Sequence, residues 1–579
     1  MGVYGSFLAI SLIFSTFFQP FRPEVFTSTS QLSEHTKVEQ SLDKALQNYI
    51  KKEKQRLKKL KTFLRLKKKQ SQKRLLDLED LSGLTISPVD AFTTLNRFGK
   101  DWEDVGKQLR QREHREDFLN VLSEQNESLN LFSQMDFDGA MNALLRLSKV
   151  YDISPQNLLQ GKIDKRSVKT VCTKGLINNQ SRQLRQSIDQ RIQNETCLIP
   201  TSFPPVQIDT QSITTRLTTM DSFRLGRQAY VTGHRLLAKT WLEHTISMMG
   251  NTQYALRDMA ESTNRSEVLN YLAFIEYLFA NYKKSLSYYQ EMSRYDPSDE
   301  VKENVKIMEG LVAKNKVGER LSDDDDDQDE FMIEYANHCR KADQTVPLPS
   351  NDPRLNCYYD NRHPGSYLRP SKVETLNLNP RIEIFRDVLS DNEVDEIISL
   401  ARPKLLRAGV NNLETGITEL ADYRISKNAW LRDQDSELVQ KIDQRIGVLT
   451  GLNMNTAEHL QVNNYGLGGQ YEPHVDHALN MSISPIRELG WGNRIATLMF
   501  YLSDVQAGGA TVFIKLNVHS RPSKGDALFW YNLKKSGEGD LDTLHAGCPV
   551  LLGDKWVANK WIHEYGNEFL RPCGLTEDE

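Results

Sequence analysis

Apolar positions recur at helical spacing along most of the first 312 residues and at strand spacing after about residue 376. Between 32 and 75, Leu42, Leu46, Tyr49, Leu57, Leu60 and Leu64 fall near one helical stripe. From 86 to 150 the helical pattern continues. Phe92, Leu95, Phe98 and Trp102 make one apolar face, and Phe118, Leu119 and Val121 begin another. Residues 151–217 are polar and rich in Gln, Arg and Ser; Ile199-Pro200 and Pro204-Pro205 punctuate them. Residues 218–312 predict helix pairs of the tetratricopeptide (TPR) type. Leu225-Gly226-x-x-Ala229-Tyr230 with Ala238 and Trp241 forms one, and Phe274-x-x-Tyr277 with Leu286 and Tyr289 the next. The two are 48 residues apart, longer than a TPR period of about 34, so an insertion separates them. Beyond 460 the pattern changes. Gln461–Tyr471, Arg494–Tyr501, Gly508–Phe513 and Gly525–Tyr531 are short apolar runs broken by Gly, as in a double-sheet jelly-roll barrel. The predicted architecture is multidomain α + β.

Composition narrows the class. With 39% hydrophobic and 26% charged residues, 579 residues suffice for three or four domains with ordinary cores. A net charge of −4 and a pI near 6.4 give no bulk reason to expect nucleic acid as a partner. Phe7–Phe18 is an apolar run too short to span a bilayer and reads as a secretion signal, placed at 1–28. No other segment predicts a transmembrane helix. Six cysteines, Cys172, Cys197, Cys339, Cys357, Cys548 and Cys573, suit an oxidising compartment and allow 15 pairings. Sequons at Asn126, Asn179, Asn194 and Asn264 follow the same logic; a fifth, Asn480, lies close to the chemistry described next and is a poorer acceptor. The C-terminal residues are not an ER-retention tetrapeptide, so residence in the ER lumen would require a retained partner. Thirteen of the residues from 51 to 74 are Lys or Arg, against one Glu. This fits a dimerising coil, with a solvated charged helix as the plain alternative. Asp323 to Asp327 predicts a solvated acidic linker, set at 313–338.

His474-Val-Asp476 and the later His545 have the order of a 2-His-1-carboxylate facial triad, the ligand set of non-haem Fe(II). Lys555 stands ten residues beyond His545, between a Gly553-Asp554 turn and an apolar-aromatic strand. A lysine there is costly unless it meets an anion. His477, in alternation with 474 and 476, is a lining or surface residue rather than a ligand. His519 and His563 carry no signal.

His474-x-Asp476, Gly508-Gly-Ala-Thr511, Phe529-Trp-Tyr-Asn, His545-Ala-Gly-Cys-Pro-Val and Lys555–Trp561 together resemble the collagen prolyl 4-hydroxylase α-subunit family. The likeness is densest over residues 376–573 and looser upstream. It implies a double-stranded β-helix catalytic domain over 339–579, with His474, Asp476 and His545 as iron ligands. Lys555 would anchor 2-oxoglutarate, Tyr465 and Thr511 would line its pocket, and Trp561 would wall it. The implied cofactors are Fe(II), 2-oxoglutarate, O₂ and L-ascorbate. The resemblance also implies a helical, coiled-coil dimerisation region at 29–150. A peptide-substrate domain at 218–312 would offer Tyr230, Tyr271, Phe274 and Tyr277 to a Pro-rich, collagen-like chain. The implied partner is protein disulfide isomerase as β subunit of an α₂β₂ tetramer. Disulfides Cys339–Cys357 and Cys548–Cys573 are implied too, with Cys172–Cys197 by extension. The expected activity is 4-hydroxylation of prolyl residues. Competing readings are a hydroxylase of another secreted protein, or an idle TPR scaffold with a decayed oxygenase domain.

Overall fold

The structure, a computed structural model, describes residues 42–44, 87–96, 99–100, 134–159, 217–249, 264–314, 330–344, 354–411, 418–482 and 484–576. The apolar run at 7–18, the basic stretch 51–74, Cys172, Cys197, three sequons (Asn126, Asn179, Asn194) and the run Asp323–Asp327 lie outside them. Among the described residues no helix is long and apolar enough to cross a membrane.

Among the described residues the helical part includes α1 (Pro88–Asn96), α2 (Gln134–Tyr151), α3 (Pro155–Leu159), α4 (Thr219–Val231), α5 (Arg235–Met248), α6 (Arg265–Leu278), α7 (Tyr282–Met292), α8 (Asp299–Ala313) and α9 (Glu330–Gln344). Two further helices, α10 (Asp391–Ala401) and α11 (Glu437–Thr450), belong to the C-terminal half. The predicted repeats are the antiparallel pairs α4–α5 and α6–α7. Helix α4 starts at Thr218, whose hydroxyl accepts from the Asp221 amide while the Asp221 carboxylate accepts from the Thr218 amide. Gly226 lets α5 approach closely; a Cβ there would lie 2.8 Å from Leu242 Cγ. The buried Glu276 ties the repeats together, pairing with Lys239 at 2.8 Å and Lys284 at 3.0 Å.

The C-terminal half is antiparallel. Its strands are β1 (Cys357–Asp360), β2 (Ser371–Leu378), β3 (Arg381–Arg386), β4 (Leu406–Arg407), β5 (Gly409–Asn411), β6 (Thr418–Leu420), β7 (Lys427–Leu431), β8 (Leu460–Tyr465) and β9 (Tyr471–His474). There follow β10 (Arg494–Tyr501), β11 (Val505–Gly508), β12 (Thr511–Phe513), β13 (Val518–Ser520), β14 (Ala527–Tyr531), β15 (His545–Gly547), β16 (Val550–Gly553) and β17 (Lys555–His563). A nine-stranded sheet, ordered β1-β2-β3-β14-β10-β17-β8-β7-β4, faces a four-stranded sheet, β13-β12-β15-β9. Alternation sorts the side chains. On β17, Trp556, Ala558 and Ile562 pack outward with Val394 and Ile397 of α10 and Val439 and Ile442 of α11. Val557 points between the sheets with Tyr465, Met499, Phe513 and Trp530.

Two sequence expectations need correction and a third is narrowed. Helix α9 runs through the boundary placed between an acidic linker and the catalytic domain at 338/339. Its residues Tyr335, Ala336, Cys339 and Ala342 are buried at helical spacing, so this segment is core rather than solvated linker. Cysteine pairing differs as well. Cys339 on α9 is bonded to Cys548, while Cys357 and Cys573 are free and exposed. Neighbours in sequence do not pair because α9 lies against the β15 end of the small sheet, whereas Cys357 sits on β1, the outer strand of the large one. Finally, of the two places expected for His477, lining or surface, its burial rules out the surface.

The helical part and the barrel share one core. Leu144, Leu147, Leu242 and Tyr335 cluster with Val512, Ala546, Leu551 and Leu552. Polar contacts pin this junction. Arg146 Nη1 donates to the Gly468 carbonyl at 2.6 Å, Tyr151 Oη to the Pro549 carbonyl at 2.6 Å, and the Gly508 amide to Asp343 at 3.0 Å.

Candidate metal and co-substrate site

Antiparallel pairing of β9 with β15 sets His474 directly opposite His545. Asp476 follows two residues beyond His474. The Nε2 of His474 lies 3.8 Å from one Asp476 oxygen, and that of His545 lies 3.9 Å from the other. One ligand atom from each of the three lies within 4.8 Å of the others, and no other such cluster occurs among the described residues. Both rings are oriented by the backbone. His474 Nδ1 is 2.7 Å from the Glu472 carbonyl, and His545 Nδ1 is 2.9 Å from the Thr543 carbonyl. A carbonyl only accepts, so each Nδ1 carries the proton and each Nε2 presents a lone pair to the cluster. Burial and the neighbouring His545 ring hold the His474 imidazole well below its ordinary range. Burial alone would raise the Asp476 carboxyl, but His545, His474 and Arg494 outweigh it and hold it down. Two neutral imidazoles and one carboxylate on one side of a point fit a divalent iron ion.

Residues behind the cluster fix the carboxylate. Thr497 Oγ1, central in β10, donates to Asp476 Oδ2 at 2.8 Å, and Asn532 Nδ2 donates to Thr497 Oγ1 at 2.8 Å. The hydroxyl has one proton to give, so the Asn532 donation leaves it directed at Asp476. Arg494 grips Glu458 through both carboxylate oxygens, at 2.6 and 3.0 Å, and donates to the Asp476 carbonyl at 3.2 Å. His563 Nε2 joins the same Glu458 at 3.0 Å. The Arg494 guanidinium also lies 4.0 Å from the centre of the Trp561 ring, holding that indole beside the cluster.

Lys555 pairs in register with Tyr465 across β17–β8, and its Nζ lies 5.3 Å from the centre of the Tyr465 ring. The side chain is buried, and among the described residues no carboxylate pairs with it. Burial lowers its pKa to about 7. Thr511 lies across the pocket, accepting from Tyr501 Oη at 3.1 Å. A lysine isolated in this way fits the far carboxylate of a dicarboxylic keto acid.

The expected peptide-binding residues also come together, away from the metal cluster. Tyr230 on α4 packs against Tyr271 and Phe274 on α6, with ring centres 5.2 and 6.4 Å apart, and Phe274 meets Tyr277 at 6.0 Å. Each ring keeps solvent exposure, and Phe274 is 41% exposed. Asn264 is exposed at the start of α6, where its side chain accepts from the Ser266 amide.

Sequence reasoning missed Thr497, Asn532, Glu458 and Arg494, and passed over His563. Only the strand pattern hinted at the first, since Thr497 is a small hydroxyl residue among the apolar side chains of Ile495–Phe500. His519 pairs with His338 of α9 at 3.0 Å, a contact between helix and sheet far from the triad in function. His477 is 5% exposed, with neither ring nitrogen hydrogen-bonded, and its ring rests on Gly539.

Family models match three stretches of the chain. They describe a prolyl 4-hydroxylase α-subunit N-terminal region (28–165), a prolyl 4-hydroxylase peptide-substrate-binding domain (219–314) and the 2OG-Fe(II) oxygenase superfamily (460–563). The human prolyl 4-hydroxylase subunit alpha-1 is 34% identical over 574 residues, covering 96% of this chain and 97% of its own length. The Caenorhabditis elegans alpha-1 subunit is 34% identical over 571 residues (96% and 91%), and the mouse alpha-3 subunit 36% over 574 residues (96% and 96%). Among solved structures, a viral collagen prolyl hydroxylase from Paramecium Bursaria Chlorella virus-1 is 28% identical. It covers 31% of this chain and 94% of its own, with a TM-score of 0.26.

Proposed function

This chain belongs to the family of prolyl 4-hydroxylase α subunits, and from that premise we propose that it 4-hydroxylates prolyl residues in collagen-like, Pro-rich polypeptides. The reaction consumes O₂ and 2-oxoglutarate and releases succinate and CO₂; Fe(II), kept reduced by ascorbate, supplies the oxidising chemistry when bound. His474, Asp476 and His545 hold the metal. Thr497 keeps the Asp476 carboxylate turned toward it, and Arg494 holds the Asp476 main chain in place. Lys555 receives the far carboxylate of 2-oxoglutarate as a fixed cation, with Tyr465 and Thr511 shaping the pocket. Trp561, clamped by Arg494, walls the site and keeps water from the reacting carbon. The aromatic face of α4 and α6 takes the extended substrate, which is preordered as polyproline II and loses little entropy on docking.

The observation that carries this reading is the pairing of two backbone-oriented imidazoles and one carboxylate with a buried lysine that lacks an acidic partner. We place the enzyme in the ER lumen with protein disulfide isomerase as its β subunit. The test is CO₂ release from labelled 2-oxoglutarate by the co-expressed complex with Fe(II), ascorbate and a (Pro-Pro-Gly)n peptide. Peptide-dependent release with hydroxyproline in the product is expected. No release from soluble, iron-loaded complex would remove collagen-like chains as substrates.

A further inference from the structure

Between the repeat helices and the barrel lies a cavity of about 810 Å³. Its walls come from four parts of the chain: Arg146 of α2, Thr232 and Leu236 at the α4–α5 turn, Ile333 and Arg340 of α9, and Glu472 of β9. One end is two residues from Tyr230, the first ring of the aromatic face. The other is two residues from His474, whose ring is oriented by the Glu472 carbonyl. The cavity's walls therefore adjoin, along the chain, both the helix that carries Tyr230 and the strand that carries His474.

The wall chemistry selects an occupant. Leu236 and Ile333 are 41% and 45% exposed and form an apolar side. Two guanidiniums share the lining with the carboxylates of Asp152, Asp422 and Glu472, none of which forms an ion pair with them. Arg146 meets one protein acceptor, the Gly468 carbonyl, and Arg340 meets the Val150 carbonyl and Asn337. Each guanidinium has five N–H donors, so both have donors to spare. A Pro-rich chain has the complementary imbalance. Each Pro-Pro-Gly triplet carries three backbone carbonyls but one backbone N–H, because Pro has none. In polyproline II those carbonyls point outward without internal partners.

We propose that this cavity is a peptide-threading subsite, holding the stretch of Pro-rich substrate between the aromatic face and the prolyl residue at the metal. The proposal rests on the function given above and adds a site outside both the repeat groove and the metal pocket. It makes the junction between helices and barrel part of substrate recognition.

The test narrows the cavity with Leu236→Trp and Ile333→Trp, both at partly exposed positions, in the co-expressed complex. For a ten-triplet (Pro-Pro-Gly) peptide KM should rise about tenfold, equivalent to one lost contact of about 1.4 kcal/mol. For a two-triplet peptide, too short to span the cavity, KM should change less than about twofold. The KM for 2-oxoglutarate should not move. Equal shifts for both peptides would overturn the proposal. A photo-crosslinking residue at position 333 gives a readout independent of turnover. Capture of the long peptide supports threading, and capture of this chain's own residues alone overturns it. Capture without hydroxylation by the unsubstituted complex would support the subsite while sinking the proposed reaction; neither would sink both.

Discussion

At the scale of single residues, the site depends on groups that never meet the metal. Thr497 holds Oδ2 of Asp476, the oxygen nearer His545, and leaves Oδ1 to face His474. Thr497→Val should weaken metal binding about 10- to 100-fold, with Thr497→Ser close to the parent, in a titration of Fe(II) or Co(II). Equal affinities for Val and Ser would remove the positioning role. In the proposed anchor role, Lys555 should make co-substrate binding depend on pH. Its pKa in the folded chain is about 7, and a bound carboxylate favours the charged form. Binding should therefore take up a proton, and affinity for 2-oxoglutarate should fall up to about tenfold per pH unit above 7. Calorimetry in buffers of different ionisation enthalpy measures that proton. The sign for stability is separate. Between about 7 and the ordinary lysine range the unfolded chain holds the extra proton, so this group raises stability as pH rises through that window. Lys555→Ala should raise the KM for 2-oxoglutarate about 30-fold or more, since removing one member of a buried charge pair costs about 2–5 kcal/mol. His477 is the converse case. Two buried nitrogens without partners cost about 1–3 kcal/mol each at most, so His477→Leu, apolar and closer to His in volume, should raise the denaturation midpoint. A lowered midpoint would show that the ring is bonded in solution.

At the scale of elements, period-2 alternation and register do most of the placing. His-x-Asp was legible because alternation keeps both residues on one side, and the distant His545 because only an opposing strand brings it back. Lys555 was legible as a charge on a strand that otherwise reads as core. Thr497, Asn532 and Glu458 were not, because their roles exist only once three strands and a loop converge. Cysteine pairing failed for the same reason: chain separation says nothing about which helix rests on which sheet. The repeat helices were legible from their spacing, and their aromatic face follows from it. Tyr271 lies inside that face, between Tyr230 and Phe223, with ring centres at 5.2 and 6.2 Å. Tyr271→Ala should raise the KM for long Pro-rich peptides about two- to tenfold, the worth of one aromatic contact, and that for short ones less. Equal effects would make it a packing residue.

At the scale of the whole molecule, the barrel is not a separate body. Helices α2 and α9 share its core, the Cys339–Cys548 bridge fastens α9 to it, and Arg146 reaches across to the turn before the metal strand. Cys548→Ser should leave the triad's strands intact but speed proteolysis within 330–344, whereas an unchanged cleavage rate would show that packing alone holds α9. The contact between Arg146 and Gly468 has a further consequence, for the timing of synthesis. Its partners are 322 residues apart. At about 5–20 residues per second, a ribosome needs roughly 16–64 seconds between making one and the other. Helices α1 and α4 can cover part of α2 early, but throughout that interval the part of its apolar face that meets the barrel must wait for strands not yet translated. In a chain built this way that patch meets water during translation, before any question of catalysis arises.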